Sequence, residues 1–167
     1  MSDARETVKL SIRLDRPVYD AIANEAKAAD RTITEVVQSV LAEHACNVGS
    51  LDPKVIDDYR LMWGLIDEAV KKAHHIVQSH GLSSDVTYKA IQACEGDDSW
   101  IKRYEKYVRD NPFKHGNPRK GTINKELGFR IVAGLGVFAA KKPDGKPVKV
   151  PVNGSIIQSY TAIAVKV

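Results

Sequence analysis

The chain has 167 residues, enough for one or two small domains. Its 43% hydrophobic and 28% charged content suits a globular chain in water. No apolar run reaches membrane-spanning length, and Met1–Glu6 lack the apolar core of a secretion signal. A cytoplasmic protein with no membrane contact is therefore expected. The net charge of +4 is unevenly spread. Residues 1–46 carry six Lys/Arg against eight Asp/Glu, residues 47–95 five against seven, and residues 96–167 fourteen against six. A basic C-terminal segment favours a polyanionic partner.

The first structured element is read at Val8–Leu14. Val8, Leu10, Ile12 and Leu14 alternate with Lys9, Ser11 and Arg13, so a strand would show one apolar and one polar face. Asp15 and Pro17 suit a helix cap and first turn, and Val18, Ile22, Ala26 and Ala29 recur at helical spacing through Asp30. Thr32-Ile-Thr-Glu35 has the spacing of a capping box, opening a second helix whose apolar stripe is Ile33, Val36, Val37, Val40 and Leu41. One strand and two helices in about forty-odd residues bury too little to stand alone. A lone strand also leaves its edges open. Pairing of two copies about a two-fold axis solves both problems, with the apolar strand face laid on the four helices.

These residues resemble the ribbon-helix-helix family, which includes Arc-type repressors. The resemblance rests on Lys9-Leu-Ser-Ile-Arg-Leu14, the helix start at Pro17, and Arg31-Thr-Ile-Thr-Glu-Val-Val37, and covers little more than a quarter of the chain. It implies an intertwined homodimer whose two-stranded ribbon enters the major groove of double-stranded DNA. Lys9, Ser11 and Arg13 would then face base edges, with Arg13 offering a bidentate fork to guanine. The amides of Ile33 and Thr34 and the Thr32 hydroxyl would hold backbone phosphates at the helix N-terminus. The acidic balance of this segment is compatible with that role, because the outward ribbon face carries no acid.

Asp52-Pro53 caps a long helix running to Gly81, with a seam of Val55, Tyr59, Met62, Ile66, Ala69, Ala73, Ile76 and His80. This seam can pair with a second copy, leaving a tetramer open, or with later helices of its own chain. His74, His75 and His80 do not share one helical face, and no carboxylate or cysteine completes a metal site with them. Cys46 and Cys94 match no zinc spacing and read as reduced thiols near cores. No cofactor or metal is expected. Ser83-Ser-Asp85 can cap a short helix to about Cys94, and Gly96-Asp-Asp98 marks a break.

Trp100, Ile101, Tyr104, Tyr107 and Val108 form a further amphipathic helix. Residues 111–121 read as a basic loop, Thr122 begins a helix with Leu127, Ile131 and Leu135 inward, and turns at Pro143-Asp-Gly145 and Asn153-Gly154 punctuate a β-rich end. This order is similar to that of a winged-helix module, which implies further DNA contacts through Arg119, Lys120, Lys125 and Arg130, with Lys141, Lys142 and Lys146 on the hairpin. An α+β partner-binding domain and an effector-sensing domain are the other readings.

The expected fold class is thus α+β, mainly α, in three parts: residues 1–48 a ribbon-helix-helix domain, 49–95 a helical oligomerisation segment, and 96–167 a basic domain of helices and a β-hairpin. The expected function is that of a sequence-specific DNA-binding regulator, most simply a repressor of phage or plasmid type. The alternative is an antitoxin or a nucleoprotein accessory protein whose C-terminal domain binds a protein partner. An enzyme is not expected, since there is no Gly-rich phosphate loop, zinc-hydrolase motif or nucleophile elbow.

Overall fold

The computed structural model describes residues 8–28 and 31–165. It is mainly helical, with helices α1 (Arg16–Ala28), α2 (Ile33–Asn47), α3 (Pro53–His80), α4 (Val86–Glu95), α5 (Asp98–Val108) and α6 (Pro118–Gly134), followed by strands β1 (Lys149–Pro151) and β2 (Ser159–Thr161). Local chemistry explains most boundaries. Thr32 caps α2 in the expected capping box, its hydroxyl accepting from the Glu35 amide while the Glu35 carboxylate accepts from the Thr32 amide. Asp52 caps α3 ahead of Pro53, and Asp97 caps α5 by accepting from Ser99 and Trp100.

The α3 helix is the spine. The seam residues Met62, Ile66, Ala69 and Ala73 are buried, together with Leu65, against α4, α5 and α6 of the same chain. Own-chain helices thus fill the middle of the seam, while Val55 and His80 at its ends are exposed. The indole of Trp100 is fully buried and donates to the Leu65 carbonyl at 3.0 Å. The Tyr104 hydroxyl donates to Asn124 Oδ1 at 2.6 Å, and the Asn124 amide donates to the Ile156 carbonyl at 2.8 Å. That relay ties α5, α6 and the C-terminal chain together around satisfied polar groups. Outside the core, Arg103 grips Glu68 with two bonds of 2.6 Å, joining α5 to α3.

One continuous core therefore runs from Met62 to Ile157. The expected break between residues 95 and 96 falls inside it. The change in charge there belongs to the surface and says nothing of packing, and residues from about 53 to 163 form one body.

Two further expectations needed correction. The sixth helix begins at Pro118 rather than Thr122, because Asn117 caps it by accepting from the Lys120 amide and Pro118 sits in its first turn. The predicted hairpin is present, but with little regular strand. Backbone bonds join Lys142 to Lys146 and Val148 to Ala140 around Gly145, whose φ is +80°. β1 then pairs antiparallel with β2, Val150 opposite Tyr160. Ile156 and Ile157 leave the strand pattern to plug the core.

Candidate nucleic-acid interface

Residues Val8–Leu14 precede α1 without regular secondary structure, and none of their backbone groups bonds another described residue. Their apolar members lie open: Val8 is 89% exposed, Leu10 71%, Ile12 50% and Leu14 38%. In a single chain these residues form no strand and are not laid on α1 and α2; the expectation concerned two paired copies. The apolar side chains Val18 and Tyr19 of α1, Val40 and Leu41 of α2, and Val48 beyond it are exposed as well. Lys9, Ser11 and Arg13 are all exposed.

The start of α2 is more crowded with side chains than expected. The Thr32 hydroxyl is engaged with Glu35 as both acceptor and donor, so it is not a free phosphate ligand. Ile33 is half-buried and Thr34 exposed. The ammonium of Lys125 on α6 and the Thr32 amide both favour the Glu35 carboxylate, and hold its pKa down at about 2. Arg31 is turned inward. Its guanidinium donates to Glu126 Oε1 at 2.5 Å, to the Glu35 carbonyl at 3.1 Å and to Ser39 Oγ at 2.8 Å, and lies 4.7 Å from the Phe129 ring centre. Arg31–Glu126 and Lys125–Glu35 are the ion pairs that fasten the α1–α2 unit to the body among the described residues. Sequence reading missed both, because each joins residues more than eighty positions apart.

The four basic residues expected to add DNA contacts separate into two pairs. Arg119 is held by Asp58 at 2.9 Å, donates to the Tyr107 carbonyl, and packs over the Tyr107 ring. Lys120 is buried and donates to the Lys114 carbonyl at 2.9 Å. Neither lies on the open surface that a DNA backbone phosphate would reach. Lys125 is half-exposed beside the α2 N-terminus, and Arg130 is partly exposed near Glu126. Lys141, Lys142 and Lys146 are exposed around the hairpin turn.

His74, His75 and His80 are exposed, and no group of His, Cys, Asp and Glu among the described residues is arranged to hold a metal ion. Burial pushes the Cys94 thiol up to about 12, which makes it a poor nucleophile at neutral pH. No described helix is long and apolar enough to cross a membrane. Comparison with protein-family models, with curated proteins and with solved structures finds no match to this chain.

Proposed function

We propose that this chain is a sequence-specific double-stranded DNA-binding regulator, most simply a repressor. Two copies pair their Val8–Leu14 segments antiparallel, and the resulting ribbon enters the major groove with Lys9, Ser11 and Arg13 from each copy directed at base edges. The observation that carries this reading is the exposure of Val8, Leu10, Ile12 and Leu14 together with that of Val18, Tyr19, Val40 and Leu41 on α1 and α2. An apolar row such as Val8–Leu14 needs a cover, and a second copy of the same unit is self-complementary about a two-fold axis. Covering the row also supplies the missing hydrogen-bond partners of the strand.

The start of the second helix supports the phosphate contacts of this reading. Its second helix starts with a satisfied cap, leaving the amides of Ile33 and Thr34 and the ammonium of Lys125 as the groups nearest a phosphate. In the proposed phosphate site Lys125 takes the place expected for the Thr32 hydroxyl. The body carries most of the positive charge and closes its own core. That counts against the antitoxin alternative, whose toxin-binding tails gain order only on binding.

Selection of binding sites from random duplexes tests the reading. Full-length protein is expected to enrich a motif with two-fold symmetry, and a Lys9→Ala/Arg13→Ala double variant is expected to enrich none. Failure of the full-length protein to enrich any motif, or an unchanged motif from the variant, contradicts it.

A further inference from the structure

On the side of α6 away from α3, between that helix, α4 and the β1–β2 chain, lies a cavity of about 950 Å³. Its size is that of a small-molecule site. The floor is the α6 face bearing Gly121 and Gly128, which lie two turns apart. A Cβ placed at either glycine meets nothing within 4 Å, and both have ordinary helical backbone. Alanine there would favour the helix by roughly 0.5–1 kcal/mol. Glycine instead keeps the floor open at a cost in helix stability.

The lining has two characters. Ile91, Val132 and Ile156 give an apolar wall. Cations outnumber acids in the rest, where Arg31, Lys120, Lys125 and Lys149 face a single Glu25. Arg31 and Lys125 have carboxylate partners across the α2–α6 contact. Lys120 does not. It is 5% exposed, and its ammonium donates to one backbone carbonyl with no carboxylate in ion-pairing distance among the described residues. Burial accordingly lowers its pKa. Glu95 and Asp110 act on this ammonium only from beyond ion-pairing distance, and its burial costs free energy that a bound anion would recover. A second buried polar group points the same way. Thr87 is 1% exposed, lines the cavity, and its hydroxyl oxygen has no hydrogen-bond partner among the described residues.

We propose that this cavity binds a small amphipathic organic anion, its acidic headgroup at Lys120 and its aromatic or aliphatic body along the Gly121–Gly128 floor against Ile91, Val132 and Ile156. The site does not depend on the DNA-binding reading, and it is tested without DNA. The probes are 8-anilinonaphthalene-1-sulfonate and its uncharged analogue N-phenyl-1-naphthylamine, followed by fluorescence titration of the full chain. The sulfonate is expected to saturate one site per chain. Gly128→Leu and Gly121→Leu fill the floor from a helical position, and each should weaken binding of both probes at least tenfold while leaving the thermal midpoint level or higher. Lys120→Gln keeps a donor for the Lys114 carbonyl. It should weaken the sulfonate at least tenfold and leave the uncharged probe within twofold. If either folded filler variant retains wild-type affinity, or if Lys120→Gln affects both probes equally, the assignment is overturned.

Discussion

The body from α3 to β2 and the α1–α2 unit solve the same problem in opposite ways. The body encloses its own apolar side chains. Trp100, Tyr104, Leu65, Ile91, Ile123, Leu127 and Ile131 are all fully buried within one chain. The N-terminal unit buries Ala26, Val36 and Cys46 but leaves Val8, Leu10, Ile12, Val18, Val40 and Leu41 open. Length accounts for the difference. About a hundred residues suffice to close a core, and forty do not. What remains open at the N-terminus is therefore informative about partners in a way the body's surface is not.

The largest expected effect falls on the open row. Replacing Leu10 and Ile12 by lysine removes four apolar side chains from the proposed two-fold interface, each worth about 1.5–3 kcal/mol when buried. The variant should sediment as a monomer with its thermal midpoint for the body unchanged. A dimer of wild-type affinity would place the interface elsewhere. The complementary change is Trp100→Ala, which should cost the body about 3–5 kcal/mol by chemical denaturation. A cost near zero would show that the buried indole and its bond to Leu65 do not hold α5 to α3.

Smaller effects sharpen the account. Arg13→Ala should remove about 1–3 kcal/mol of discrimination between a selected duplex and a random one. Equal losses on both would demote Arg13 to a phosphate contact. In contrast, Arg119→Gln should lower stability without changing the salt slope of DNA binding, because Arg119 is engaged with Asp58 and Tyr107. A shallower slope would return it to the interface.

The smallest effect concerns the fastening between the two regions. Glu35 is depressed to about 2 from its ordinary 4.5, first by Lys125 and then by the Thr32 amide. Its contribution is therefore complete above about pH 4.5 and is lost as pH falls toward 2. Glu35→Gln should flatten the dependence of the thermal midpoint across that window. Curves of equal steepness for the variant and the wild type would show that the Lys125–Glu35 pair is not a fastening.

The two regions also differed in how far their residues could be read in advance. The helix starts at Ile33 and Pro53 were legible, since caps and N1 prolines act over three or four residues, whereas Gly96-Asp-Asp98 reads as a break although Asp97 caps α5 there. The middle of α3's buried face, Met62 to Ala73, was legible from its spacing, but Val55 and His80 proved exposed, Leu65 outside the seam is buried, and the partner of the face was not legible. A heptad seam is satisfied equally by another chain or by α4, α5 and α6. Asn117-Pro118 carries a helix signal hidden in a stretch rich in Pro, Gly and Asn, so the spacing from Thr122 places the helix start four residues late. Arg119 and Lys120 looked like surface cations because composition does not reveal which basic residues meet Asp58 or a carbonyl. The cavity was invisible for the same reason: Gly121, Gly128, Thr87 and Lys120 become neighbours only through the packing of α6 on α4.

The central claim is that the N-terminal unit is half of a two-copy structure. Sedimentation equilibrium of the full-length protein at micromolar concentration, without DNA, tests it most directly. The account predicts a single species of twice the chain mass. A species of one chain mass at those concentrations would contradict it.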